Sequence, residues 1–234
     1  MFFRNRISED VEDWLLDRFE WSVEEGVLRR DTPLVLPTDA FFTARSGKPD
    51  VLVPALIADI LRLMNRSDDH IDCLPIDRPN AEIRSAASFQ MQGEVAGAWD
   101  GDDMGSVIFY DPEMVARPLV LIATLVHEVV HHVMHRHYPD ALLEGAEEEL
   151  QTDAVMITSG FGLIAMMAAE EAGWLGYMRQ PTRAHALAMF LAVRGLETAP
   201  CETQLTSRMR KALRSSYRQV QSLRDIVELK QRLA

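Results

Sequence analysis

One helix constrains this chain more than any other feature, and it lies in the stretch RPLVLIATLVHEVVHHVMHRHYPD, residues 117–140. The eight residues before the first histidine are almost entirely apolar, so we expect a buried helix. Five of the chain's seven histidines then follow within the eleven residues 127–137. The helix must end by Pro139, because proline cannot continue a helix and restricts the residue before it. Polar side chains on a buried helix are costly unless they find partners.

A metal would supply those partners through the motif HEVVH, which matches H-E-x-x-H. Four residues span just over one helical turn, so His127 and His131 project from the same face of the helix. Two imidazoles in that arrangement can chelate one zinc ion. Glu128 lies next to that face, where its carboxylate can reach a water molecule on the metal. The motif therefore predicts one Zn²⁺ ion, with Glu128 as the catalytic base.

A second motif follows in EGAEEELQTDAVMI, where Gly145 resets the chain and a new helix is expected to begin near Ala146. HEVVH followed by ELQTD, which begins eighteen residues after His131, resembles the gluzincin (thermolysin-like) zinc metallopeptidases. The resemblance covers about residues 106–157. It implies that Glu149 is the third metal ligand, and that Asp153, four residues later, hydrogen-bonds the first zinc histidine. The other glutamates, Glu144, Glu147 and Glu148, are expected to face solvent.

The metzincin pattern offers another third ligand, because it places a histidine six residues after the second one. His137 occupies that position. The pattern also needs a glycine at which the chain turns out of the helix, and this position is Met134, which favours continued helix. We therefore interpret His135 and His137 as packing or exposed residues near the helix end.

The predicted fold is α+β and zincin-like: one domain over residues 1–234, with a mixed sub-lobe 1–111 and a helical sub-lobe 112–234. Two helices come first, one after an N-cap at Ser8 and one over residues 51–65 with Pro54 near its first turn. Strands are predicted at about 88–99 and 105–110, joined by a turn at Asp100 to Asp103. The resemblance implies a small antiparallel sheet beside the active-site helix, with GSVIFYD as the edge strand that pairs with substrate. An ordinary core strand fits those residues equally well.

The resemblance also implies an activity, the hydrolysis of peptide bonds in a peptide or protein substrate. Gluzincins usually stabilise the oxyanion with a downstream histidine or tyrosine, and the candidates here are His185 and Tyr177. The alternative function is a zinc-stabilised binding or regulatory module that uses the same ligands without proteolysis.

The composition of the chain limits which classes of partner and which cellular location are expected. The net charge of -12 argues against nucleic acid as the main partner. Two cysteines form no disulfide framework, and the longest uncharged run, residues 154–169, is short for a membrane span. We therefore expect a soluble, cytoplasmic protein. Within the basic stretch 206–234, residues 210–233 predict one amphipathic helix that either packs on the body or contacts a second copy in a homo-oligomer. Its apolar stripe contains Leu213, Tyr217, Val220, Leu223 and Val227.

Overall fold

The computed structural model describes residues 7–44, 46–76, 97–102, 105–173 and 175–233. These residues form a mixed α+β structure that is mostly helical, which confirms the predicted class at that level. The chain divides into two compact units, one formed by Met1–Pro37 with Ala141–Ala234 and the other by Thr38–Asp140. Neither boundary lies near Asp111, where the sub-lobes were expected to meet. A single domain over residues 1–234 stays a prediction.

The unit Thr38–Asp140 contains two helices, a small sheet and a 3-10 turn. Helix α2 spans Pro49–Leu63, and β1, β2 and β3 span Asp72–Pro75, Gly97–Asp102 and Gly105–Tyr110. The 3-10 turn Pro112–Ala116 leads into helix α3, Pro118–His137. Helix α2 begins at Pro49, so Pro54 lies inside the helix and the prediction that placed it near the first turn was wrong. Helix α3 ends before Pro139, as predicted, and a 3-10 turn Pro139–Ala141 follows.

The order of the described strands is β1-β3-β2. Strand β2 pairs antiparallel to β3, as expected, but β1 pairs parallel to it, so the sheet is mixed rather than antiparallel. Of the two interpretations of GSVIFYD, the substrate-binding edge strand was therefore wrong, because β3 has a hydrogen-bonded strand on each side, and the other one, a core strand, fits its central position. Strand β1 escaped prediction because it has only four residues, ends in a proline and shows no alternation of polar and apolar residues.

The predicted turn Asp100 to Asp103 was wrong for its first three residues, and Asp103 lies outside the described residues. Asp100, Gly101 and Asp102 belong to β2 and pair with Val107, Ser106 and Gly105 of β3. The part of the predicted first strand before Gly97 lies outside the described residues.

Helix α3 is the buried element of this unit, as its apolar first turns predicted. Fourteen of its twenty residues are buried, including the polar residues Thr124, Glu128, His131 and His132. It packs against α2, β2 and β3. A helix that is buried on so many sides must satisfy its polar groups inside the protein.

The other unit is helical over its described residues. Helix α1, Glu9–Glu24, follows Ser8 as predicted, although the Ser8 side chain makes no capping hydrogen bond within the described structure. The remaining helices are α4 Ala146–Met156, α5 Gly162–Glu171, α6 Gln180–Arg194, α7 Ala199–Glu202, α8 Ser207–Val220 and α9 Arg224–Arg232. A π-helical turn, Ile157–Phe161, joins α4 to α5. Residues 183–193 of α6 are all buried, and α6 forms the centre of the core.

The C-terminal stretch forms two helices, so the prediction of one continuous helix was wrong. The backbone is extended at Leu223, and α9 begins at the next residue. The helical periodicity of α8 therefore does not continue into α9. Ile226 and Leu229 are buried in α9, whereas Val227 is 43% exposed. Leu213 and Val220 are fully buried in the core, so α8 packs on the body.

Two helical stretches, Pro118–His137 and Ala146–Glu171, are long and apolar enough to cross a membrane by length and composition alone. Their most apolar windows are 78% and 94% buried in the protein, as is usual for core helices of soluble proteins. A soluble protein and a cytoplasmic location stay predictions.

Gly160 marks the π-helical turn and has a φ of 99°, a conformation that favours glycine. A Cβ atom at this position would lie 2.0 Å from the carbonyl oxygen of Pro33. The Gly160 carbonyl accepts a hydrogen bond of 3.0 Å from the Val35 amide. The segment 33–35 is thus packed directly against the helix interruption.

We predict that Gly160→Ala lowers the free energy of unfolding by about 3 kcal/mol or more, because strain at positive φ adds to a clash with the backbone. Gly173→Ala is the matched control, since Gly173 has a φ of 77° and a Cβ atom there would meet nothing within 4 Å. It should cost only about 1–2 kcal/mol. Urea unfolding of both variants measures the difference, and equal losses would contradict the close packing at Gly160.

Candidate metal centre

The two motif histidines turn their ring nitrogens toward each other on one face of α3. The Nε2 atoms of His127 and His131 lie 3.3 Å apart. The ring centroids lie 5.0 Å apart and the rings meet edge to face, with an interplanar angle of 74°. Two ligands at about 2.0–2.1 Å from a tetrahedral zinc ion are separated by about 3.3–3.4 Å. The pair therefore has the spacing that zinc requires.

His131 has a second possible partner on the same helix. A ring nitrogen of His135 also lies within 4.8 Å of a ring nitrogen of His131, and the two ring centroids are 6.4 Å apart. This pair was not predicted, because His135 was interpreted as a packing residue. His127 and His135 each belong with His131 to a separate group that could hold an ion, so the two are alternatives as its partner.

Trp99 of β2 covers the alternative pair. Its ring lies 4.5 Å from that of His135 between centroids and 6.4 Å from that of His131, nearly parallel to the latter. Gly101 makes room for this indole, because a Cβ atom there would lie 2.5 Å from the Trp99 ring and 2.9 Å from Ser106 Oγ. His135 thus packs against Trp99, and packing was one of the two roles, packing or exposed, that the sequence predicted for it.

Glu128, the predicted base, is 8% exposed on α3. It follows His127 directly, so its side chain lies about 100° around the helix from that ligand and on its neighbouring face. A carboxylate in this partly enclosed position can accept a proton beside the histidine pair. Its role as the base stays a prediction.

The acidic residues of the second motif lie at the start of α4, which begins at Ala146 as predicted. Glu144 and Glu147 are exposed, as expected for solvated residues. Glu148 is half-buried, so it is less exposed than the prediction that it faces solvent implied. Glu149, the predicted third ligand, is also half-buried, and its bond to a metal stays a prediction.

Asp153, the predicted partner of the first zinc histidine, is buried and organises a loop. Its Oδ2 atom accepts hydrogen bonds from the amides of Tyr177 at 2.9 Å and Met178 at 2.7 Å. The Arg183 guanidinium donates to the same oxygen at 3.1 Å. Gly176 permits this arrangement, since a Cβ atom there would lie 2.4 Å from Arg183 Nη2. Asp153 therefore ties α4 to the loop 176–178, and its contact with a zinc histidine stays a prediction.

The two candidates for the oxyanion stabiliser occupy very different surroundings. His185 is 1% exposed on α6, and its Nε2 lies 2.9 Å from Glu12 Oε1 of α1. Burial lowers the pKa of His185 although Glu12 acts in the opposite direction. Tyr177 is 53% exposed and lines a cavity of about 440 Å³ with Trp14 and Leu150. The catalytic role of His185, like that of Tyr177, stays a prediction.

A buried network holds two further histidines of α3. Nδ1 of His132 lies 2.8 Å from Ser106 Oγ, and its Nε2 lies 3.2 Å from Asp69 Oδ2. His137 Nε2 lies 2.7 Å from the same Asp69 oxygen. His137 was predicted to be a packing or exposed residue, and the structure adds a hydrogen bond to the Asp69 carboxylate.

The charges in this network follow from burial and pairing. Burial opposes ionisation of Asp69, but the interactions with His137 and His132 outweigh it and hold the pKa of Asp69 below its ordinary value. Burial also lowers the pKa of His132, against the attraction of Asp69, so the neutral ring of His132 is favoured.

Sequence patterns did not indicate Trp99, Asp69, Ser106 or Arg183. Asp69 is 63 residues from His132, and Arg183 is 30 residues from Asp153. No spacing rule connects such distant positions, and only the three-dimensional contacts reveal them. No family model, no curated protein and no solved structure matches this chain.

We predict that Co²⁺ added to the metal-free protein quenches the fluorescence of Trp99, because its ring stacks beside His131. Trp99→Phe keeps an aromatic ring at the position and should lose most of the quenching. Trp14, Trp21 and Trp174 remain in that variant and give the background signal. Equal quenching in both proteins would show that the ion binds away from His131.

Proposed function

We propose that this protein is a zinc-dependent metallopeptidase in which His127, His131 and Glu149 hold one Zn²⁺ ion and Glu128 is the base. The observation that carries the proposal is the 3.3 Å separation of the two Nε2 atoms. The donor set supports zinc, because two imidazoles and one carboxylate are a usual catalytic set that leaves a coordination position open. A bound zinc ion would lower the pKa of a water molecule and polarise a peptide carbonyl.

The other steps of the proposed reaction are assigned to individual side chains. His127 and His131 bind through Nε2, so each ring keeps its proton on Nδ1. Glu128 accepts a proton from the attacking water and passes it to the leaving amine, which needs a carboxylate that is ionised beforehand. Its small exposed fraction keeps competing water away from the proton. Trp99 packs beside His131 and closes that side of the histidine pair.

The geometry favours His127 over His135 as the partner of His131. The His135 ring centroid lies 6.4 Å from that of His131, whereas the His127 centroid lies 5.0 Å from it, and the His135 ring packs against Trp99 at 4.5 Å. The Nε2 atom of His127, in contrast, already faces that of His131. Glu128 follows His127 directly in the chain, so the pair with His127 also places the base beside a ligand.

A zinc-stabilised module without proteolysis is the second candidate, and one observation favours it. Strand β3 pairs with β1 and β2, so the strand that was expected to bind an extended substrate has no unpaired edge. The same ligands would then contribute folding energy through the metal rather than chemistry.

We predict that the purified protein binds one equivalent of zinc and that His127→Ala weakens binding by more than the roughly 10–100-fold typical of outer-shell changes. His135→Ala is the matched control, because it removes a histidine from the same helix. It should retain affinity within a few-fold if His127 and His131 bind the metal. Competition with a chelator measures both affinities, and the reverse order would move the site to His131 and His135.

We predict that Glu128→Gln retains zinc and loses peptide hydrolysis by about 10²–10⁴-fold, because the amide cannot accept the proton. Cleavage of a broad peptide mixture, followed by mass spectrometry, measures the loss. A wild type that binds zinc but cleaves none of the peptides would favour the zinc-stabilised module. A native wild type without zinc affinity would reject both functions.

A further inference from the structure

One buried carboxylate holds the last turns of α3. Asp69 lies in the loop between α2 and β1, and its side chain is 8% exposed. Its Oδ2 atom accepts from both His132 and His137, while its Oδ1 atom lies 3.8 Å from Arg136 Nε. These three side chains belong to one stretch of α3. Breaking such a buried carboxylate pair is costly, because it leaves buried polar groups without partners.

The network also joins α3 to the sheet. Ionised Asp69 can only accept, so Nε2 of His132 donates to it. Ser106 Oγ lies 2.8 Å from Nδ1, the other nitrogen of the same ring. Ser106 belongs to β3 and pairs with Gly101 of β2, two residues from Trp99. The same hairpin therefore contacts α3 at His132 through Ser106 and at His131 through Trp99.

Because α3 is rigid, contacts that fix the positions of His132 and His137 also fix the directions of the His127 and His131 side chains. His131 and His132 are consecutive, so their side chains lie about 100° apart around the axis. Side-chain tips lie about 5–6 Å from the axis, and a rotation of α3 by about 10° would shift them by about 1 Å. Functional side chains need placement within about 0.5 Å. The direction in which the His127 and His131 nitrogens face therefore depends on a fixed rotation of α3.

We infer that Asp69 is a positioning residue for the zinc site, and that it acts by holding His132 and His137 so that His127 and His131 face one metal position. The inference rests on the proposed function, because it concerns how tightly and in what geometry that metal binds. Among the described residues, the groups of side chains that could bind a metal do not include Asp69. Its effect on the metal must pass through α3.

The test compares Asp69→Ala, Asp69→Asn and wild type by zinc affinity and by the visible spectrum of the Co²⁺-loaded protein. We expect Asp69→Ala to bind zinc about 10–100-fold more weakly and to change the position and intensity of the Co²⁺ bands. Asp69→Asn keeps one acceptor oxygen and should recover part of both. A general loss of stability would not alter the Co²⁺ spectrum of the folded fraction.

Asp72→Ala is the matched control, because Asp72 contacts His70 at 3.2 Å in a pair that is largely exposed. It should leave affinity and spectrum unchanged. If Asp69→Ala does not fold, His137→Ala removes the 2.7 Å contact at a side chain that is 26% exposed, and the same changes are expected in smaller degree.

Folded variants at Asp69 and His137 with wild-type affinity and spectrum would overturn the positioning role while leaving the zinc site intact. A wild type that binds neither Zn²⁺ nor Co²⁺ would instead overturn the proposed function, and the positioning role with it.

Discussion

Helix α3 carries ionisable side chains into the protein interior, and each of them needs a partner there. His131 lies beside His127 and Trp99, and His132 lies between Ser106 and Asp69. An unpaired polar group in such a place costs a few kcal/mol, which is a large part of the stability of an ordinary domain. The surroundings of α3 are therefore arranged around its histidines. The strands, the α2–β1 loop and the indole all supply contacts that these rings require.

Two aspartates with mostly buried carboxylates have similar roles in separate units of the chain. Asp69 accepts hydrogen bonds from two histidines of α3. Asp153 accepts hydrogen bonds from two backbone amides of a loop and from Arg183. In each case, several donors converge on one carboxylate oxygen. Hydrogen bonds to an ionised acceptor are stronger than those between neutral groups, and they fix direction as well as distance. A carboxylate of this kind gives a loop or a helix end one preferred arrangement.

Local patterns predicted the features that depend on neighbouring residues. The position of α3, its burial and its end before Pro139 follow from an apolar run and a proline, and the approach of His127 and His131 follows from helical spacing alone. Features that depend on remote contacts were missed or wrong. The parallel strand β1 has no pattern of its own, and the central position of β3 follows only from its pairing with β1. The pairing of His185 with Glu12, like the network around Asp69, has no signature in the sequence.

The packing of Gly160 against Pro33 has a consequence for how the chain is organised. Residues before Thr38 and residues after Asp140 form one compact unit, and Leu15 and Phe19 of α1 belong to the same buried cluster as side chains of α6. The intervening unit is therefore an insertion in the linear order of the other one. Loop closure across an insertion raises the mean sequence separation of contacts, which slows folding. During synthesis, α1 must wait for α4 and α9, against which it packs, to emerge before its apolar face can be covered, so the inserted unit can be complete before the unit that surrounds it in sequence.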